Sequence, residues 1–275
     1  MMKTKIRLIL YFLLLAIAIL VMVFLFHLQK RTEIILPRDY AAIITNGTLN
    51  VVTDYNTIGY HISGDSASGF QYEMIKALEN DWGIEVRIFL ENSLDDNLAG
   101  LKIGKYDIVA RNIPINSRLA ETFGFTRFIS HNKLVLIQRK PEFNDSIAPI
   151  RQQLDLAKKT IHVPHESPAI LRIKNLSHEI GDTIFIEENE LYETEQLVMM
   201  VAGGDIDLTV SDEKTAEKLA QALPEIDIET DISFTQLESW AVRKDSPVLL
   251  DSLNNWFNRF LNSKKFKELY DSYYN

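Results

Sequence analysis

Three side chains with donor or acceptor chemistry stand where apolar runs give way to polar turns. Arg118 closes the stretch "GKYDIVARNIPINSR", in which the hydrophobic run "YDIVA" leads into an Asn-rich loop. A guanidinium delivered there offers a planar fork of donors that suits a carboxylate, although a loop arginine also serves as a solvated or salt-bridged surface residue. Asp212 ends "GGDIDLTVSD", where its carboxylate can accept hydrogen bonds from an ammonium group or cap the helical pattern "EKTAEKL" beyond it. Ser167, in "VPHESPA", stands before a helical pattern whose first N–H groups form an anion site; capping by Ser167 with Pro168 at the first helical position is the simpler account. Tyr55 and Tyr60 lie in or just after a strand pattern, placed to stack on a ligand or to pack at a lip.

Other chemistry lacks a seat. The run "EENELYE" contains Glu187, Glu188 and Glu190, but acid catalysis needs an apolar enclosure that raises a carboxyl pKa, and this run reads as a solvated loop. His165 has no spaced partner for a metal, and the six histidines are scattered. No Walker loop, GxSxG elbow, HExxH or GxGxxG occurs. Neither cofactor nor metal is expected, and no catalytic residue.

The elements that must hold these residues can be read from periodicity. "TLNVVTDY" reads as a strand, "NTIGYHISGDSASG" as a loop, and "GFQYEMIKALENDWG" as a helix with Phe70, Met74 and Leu78 in one stripe. "IEVRIFLE" is a strand, "LDDNLAGLKIGK" a helix and "YDIVA" the third strand of a β-α-β-α-β series, whose strands must run parallel. After a strand-rich stretch, Thr126 to Gln138, and a polar connector, a second alternating series runs from "TIHVP" to "EIDIET". The tail differs: a strand pattern, "FTQLESWAVRKD", then a helix whose stripe of Leu249, Leu253, Trp256 and Phe260 needs a host surface.

Charge and hydropathy bound location and partners. Leu8 to Phe26 contains no charged side chain, and a helix of that length spans a bilayer core. Lys3, Lys5 and Arg7 precede it, which favours a cytoplasmic N-terminus, an anchor within residues 1–31 and an exported remainder, with Lys30 and Arg31 weakening the bias. A cleaved signal peptide is the competing reading; the long apolar run and the lack of small residues in "FLFHLQKR" favour an uncleaved anchor. The chain has no cysteine, so neither disulfides nor a lipidated thiol can form. Residues beyond 31 carry 24 basic against 38 acidic side chains, a net charge of −14, which argues against nucleic acid as a partner.

Taken in order, "GTLNVVTDY", "SGFQYEMIKALENDWGIEVRI", "LKIGKYDIVARNIPINSR", "FGFTRFISHNKLVLIQRK", "VAGGDIDLTVSD" and "WAVRKDSPVLLDSLNNWF" resemble the extracytoplasmic solute-binding proteins of the amino-acid-binding type. Within that group, "NSRLAETFGFTRFISHNKLVLIQRK" and "AGGDIDLTVSDEKTA" look most like the non-catalytic binding domain of the membrane-bound lytic transglycosylase F enzymes. The resemblance implies an α/β, two-lobed type II periplasmic-binding fold with a hinged cleft, preceded here by one transmembrane helix. Lobe 1 would take residues 46–137 plus 236–275 and lobe 2 residues 141–233, so the tail returns to the first lobe. It implies that Arg118 grips an α-carboxylate, Asp212 an α-amino group, and Ser167 adds a carboxylate contact. Where the family usually has a threonine and a small residue, this chain has Ile115 and Arg111; the extra cation of Arg111 changes the cleft and makes a larger anionic, peptide-like or cell-wall ligand credible. The implied partners are a small molecule (amino acid, short peptide or muropeptide) and a permease or cell-wall enzyme. The chain stops at Asn275 after the closing helix, where those enzymes continue into a catalytic domain, so lytic activity is not expected to carry over; a regulator or scaffold of cell-wall metabolism is the alternative.

Overall fold

The computed structural model describes residues 11, 13–15, 17, 19–22, 38–64 and 66–274. The expected anchor lies for the most part outside the described residues. Its described members, Tyr11, Leu13–Leu15, Ile17 and Ile19–Met22, are helical and exposed, and among the described residues no helix is long and apolar enough to cross a membrane. The chain divides into two compact units, residues 1–36 and 37–275.

The second unit holds two sheets. In lobe 1, β1 (Thr48–Thr53) is flanked by β4 (Glu85–Leu90) and β5 (Ile108–Pro114), both parallel to it. The late strand β13 (Gln236–Arg243) pairs antiparallel with β5 and then with β6 (Phe123–Phe125) and β7 (Ser130–Asn132). In lobe 2, β9 (Thr160–Pro164) lies parallel between β10 (Phe185–Asn189) and β11 (Thr209–Asp212). There β8 (Leu134–Arg139) runs antiparallel between β11 and β12 (Ile226–Asp231). Two crossovers join the lobes, β7 to β8 through Lys133 and β12 to β13 through residues 232–235.

Helices cover the sheets. α1 (Tyr40–Asn46), α2 (Phe70–Trp82), α3 (Leu94–Lys102) and α4 (Ser117–Thr122) belong to lobe 1; α5 (Ala169–Ile180), α6 (Thr194–Gly203) and α7 (Glu213–Ala222) belong to lobe 2. The tail helices α8 (Pro247–Phe260) and α9 (Lys264–Tyr274) return to lobe 1. Leu249, Leu253, Trp256 and Phe260 of α8 are buried with Val51, Ile108, Trp240 and Val242 of the sheet. Each such large apolar side chain stabilises the fold by about 1.5–3 kcal/mol on burial. On the other face Val52, Val109 and Ala241 pack against Leu98 and Leu101 of α3, as strand alternation requires.

Two local expectations change. Residues 56–69 are not simply a loop: β2 (His61–Ser63) and β3 (Ser66–Ser68) form a short hairpin. Gly69, at φ 132°, lies so close to the Gly59 carbonyl that a Cβ would come within 2.4 Å of its oxygen, which holds this hairpin against the start of α2 and leaves room only for glycine. The segment after "YDIVA" is not an Asn-rich loop either. β5 runs on through Pro114, Asn116 caps α4 by accepting from the Leu119 N–H at 2.9 Å, and Arg118 is the second residue of that helix.

Candidate functional site

Each sheet contains a point where consecutive strands leave a central strand on opposite sides. In lobe 1 this lies between β1 and β5, and in lobe 2 between β9 and β11. Crossover helices depart in opposite directions there, so the carboxyl ends of those strands open a crevice lined by polar loops. The residues just beyond β1, β5, β9 and β11 are therefore the ones placed to meet a ligand.

After β1, Asp54 accepts from Asn56 at 2.9 Å and pairs with Arg111 at 3.1 Å. Arg111 also donates to the Asn92 carbonyl at 2.8 Å, while Asn92 accepts from the Tyr55 N–H at 2.9 Å. The cation of Arg111 is thus already matched inside lobe 1. Tyr55, half exposed, has its ring centroid 6.5 Å from that of Tyr60, which meets Tyr72 edge-on at 5.5 Å. These rings make an aromatic flank beside the Asp54–Arg111 pair.

Arg118 is exposed and, among the described residues, its guanidinium makes no hydrogen bond or ion pair. Asp212 does two things at once. Its Oδ1 caps α7 by accepting from the Thr215 N–H at 2.9 Å, and also accepts from the Asn132 amide of lobe 1 at 3.0 Å. Ser167 accepts from the Ala169 N–H at 3.3 Å, with Pro168 as the N-cap and α5 beginning one residue later than the pattern indicates. The structure therefore ties Tyr55, Tyr60 and Arg111 into one cluster and joins Asp212 to lobe 1 through Asn132. Arg118 and Ser167 make no hydrogen bond or ion pair with those four.

Sequence reasoning missed a buried carboxylate at the start of β13, opposite Ser130 of β7. Glu238 of β13 is 5% exposed and accepts from the Ser130 hydroxyl at 2.7 Å. Burial pushes its carboxyl up to about 7; the Ser130 hydrogen bond opposes this, the negative charges of Asp212 and Asp54 add to it, and Asn132 again opposes it. A signal existed, because Glu238 shares the strand phase of Trp240 and Val242, both buried in the core. Beneath it runs a satisfied chain: Trp240 donates to Gln71, Gln71 to Asn112, and Asn112 to the Tyr274 hydroxyl, at 2.7, 2.7 and 3.3 Å. Burial raises the Tyr274 phenol well above its ordinary range, with Glu238 contributing.

The two lobes also touch across the mouth. Both the N–H and the hydroxyl of Thr57 donate to Glu195 of lobe 2, the former at 2.8 Å. Asn92 donates to Glu193 and Ser93 to Glu166, each at 3.4 Å. Every donor here comes from lobe 1 and every acceptor is a lobe 2 carboxylate.

Known proteins resemble this chain in sequence and in fold. Residues 48–275 match the family model described as bacterial extracellular solute-binding proteins, family 3. The chain is 26% identical over 229 residues to a membrane-bound lytic murein transglycosylase F of Desulfosudis oleivorans, covering 83% of this chain and 49% of that protein. It is 27% identical over 239 residues to a protein of the same name from Pseudomonas fluorescens, covering 86% and 48%. The chain thus spans about half the length of the curated relatives it matches. Among solved structures, an ancestral arginine-binding protein bound to arginine superposes with a TM-score of 0.72 at 19% identity, covering 83% of this chain and 99% of that one. At that identity the likeness speaks for the two-lobed fold alone.

Proposed function

Since the chain belongs to family 3 of the bacterial extracellular solute-binding proteins, we propose that it closes its lobes on a small zwitterionic, amino-acid-like or peptide-like ligand. Arg118 takes the carboxylate from lobe 1, Asp212 takes the amino group from lobe 2, and Ser167 adds a donor to the carboxylate. Tyr55 and Tyr60 flank the ligand, and Arg111 sets the shape of the lobe 1 wall through its pair with Asp54. The observation that carries this reading is the contrast between the two charges. Arg118 stands unpaired among the described residues, while Asp212 is oriented by partners on its own lobe and across the crossover. A ligand touching both lobes shifts the population toward closure by its extra contacts there.

The anchor belongs to the same proposal: a single-pass helix over Leu8–Phe26 would hold the binding unit at the periplasmic face of the inner membrane, beside a permease or a cell-wall enzyme. The names of the relatives favour a second reading, a module of cell-wall metabolism that lacks lytic activity of its own and regulates or scaffolds enzymes that have it. A thermal-shift screen of the full chain against amino acids, dipeptides and muropeptides tests both. Ligand at a hundred times its dissociation constant stabilises by about 2.7 kcal/mol, and Arg118→Ala abolishes that shift. No stabilisation by any of the three classes refutes ligand closure and leaves the scaffold reading. Turnover of purified peptidoglycan by the chain would refute its non-catalytic part.

A further inference from the structure

We propose that Glu238 is a specificity-determining residue of this cleft: with Asp212 it forms a two-carboxylate seat for the ligand's ammonium group. The proposal rests on the ligand-binding reading above and deepens it. Its basis is a hydrogen-bonded bridge at the first crossover. β7 pairs with β13 so that Ser130 lies opposite Glu238 and Asn132 opposite Gln236. Ser130 donates to Glu238, Asn132 donates to Asp212 across the lobes, and the Asn132 side chain also stabilises the Glu238 carboxylate. Two carboxylates from different lobes thus lean on one strand of two small donors.

Among the described residues, the cations that flank this pair on β5 and at the first crossover already have partners. Asp54 approaches from the end of β1, Asp212 from lobe 2 and the neutral Tyr274 phenol from α9. The cation on β5, Arg111, is taken by Asp54 at 3.1 Å. The cation of the crossover, Lys133, is taken by Glu213 at 3.2 Å and Asp231 at 2.8 Å. A second feature points the same way. Thr53, fully buried at the end of β1 next to Asp54, carries a hydroxyl with no partner among the described residues. It shares the strand phase of Leu49 and Val51, which pack with Trp240 and Val242, so it lies on the same face of the sheet as Glu238. A buried hydroxyl without a partner on that face is open to a further hydrogen bond.

The direction of the linkage is then fixed. Near pH 7 a fraction of the molecules carry Glu238 protonated. A cation beside it favours the carboxylate, so binding releases a proton to solvent and tightens as pH rises through this range. If only the ionised form accepts the ligand, affinity at pH 6 is about tenfold below that at pH 8.

The test is calorimetry of the full chain with L-arginine, L-glutamine and L-alanyl-D-glutamate, and with their N-acetylated forms, from pH 5.5 to 8.5 in buffers of different ionisation heat. Binding of at least one free amine with the tenfold slope, proton release and no binding of its acetylated form is expected. Glu238→Gln should flatten the slope at the weak, low-pH affinity, and Glu238→Asp should restore a slope; loss of affinity without loss of slope would mark a merely structural role and overturn the proposal. Binding that is strong but independent of pH overturns this inference alone, whereas no binding by any probe at any pH overturns it together with the ligand-binding reading.

Discussion

At Glu238 the usual effect of acid on a carboxylate's contribution to stability is inverted, and replacing it with Gln should remove that inversion. The carboxyl is buried, its pKa stands at about 7 against an ordinary 4.5, and burial is the leading cause. A raised folded-state value means that, between these two pH values, the native protein holds a proton that the unfolded chain has released. Stability from this group is therefore fully present below pH 4.5 and is lost as pH rises through 7. At about 1.36 kcal/mol per unit, the shift amounts to a ceiling of about 3 kcal/mol. Glutamine cannot ionise, so the wild-type chain should lose about 2.5 kcal/mol relative to Glu238→Gln between pH 5 and 8.5, roughly 5–10 °C in melting temperature for a domain of this size. Urea unfolding of both full chains at matched pH isolates the difference, because the other titrating groups are common to both. Parallel stability profiles for the two chains across this range would refute the reasoning.

Two further outcomes concern a buried ion cluster and the mouth of the crevice. Asp107, fully buried, accepts from Arg38 and from the Asn50 N–H at 2.9 Å, with Arg243 at 3.5 Å; Asp107→Asn leaves those guanidinium groups without their counter-charge and should cost about 3–5 kcal/mol, read as a lower urea midpoint at unchanged slope. Glu195→Ala removes the acceptor for both Thr57 donors and should favour the open arrangement by about 1–2 kcal/mol, seen as a larger radius of gyration in small-angle scattering; an unchanged radius would show that the mouth contact does not hold the lobes.

Much of the architecture was legible because apolar spacing is a local property. The stripe Leu249, Leu253, Trp256 and Phe260 demanded a host, and the sheet of lobe 1 supplies it. The β2–β3 hairpin was not legible, since a run of Ser, Gly and Asp lacks the alternation that marks a half-buried strand. Arg118 reads as a loop residue because the signal for its helix is a single cap, Asn116, ahead of only six residues. Asp212 is equally readable as a cap or as a cleft residue, and it is a cap that also reaches Asn132. Glu238 could have been noticed from its phase with Trp240. The bonds of Glu166, Glu193 and Glu195 to lobe 1 could not, because they depend on how two crossovers set one sheet against the other.

The placement of β13 has a consequence for biosynthesis. This strand sits inside the first sheet, between β5 and β6, although both of those neighbours leave the ribosome long before it. The second lobe is continuous in the chain and can assemble as it emerges, but the first must wait with the inner edge of β5 uncovered and the hosts of α8 exposed. A nascent molecule halted before Gln236 would thus present a finished half beside an unzipped one, and the vulnerable surface at that stage would be the edge of β5, not the crevice.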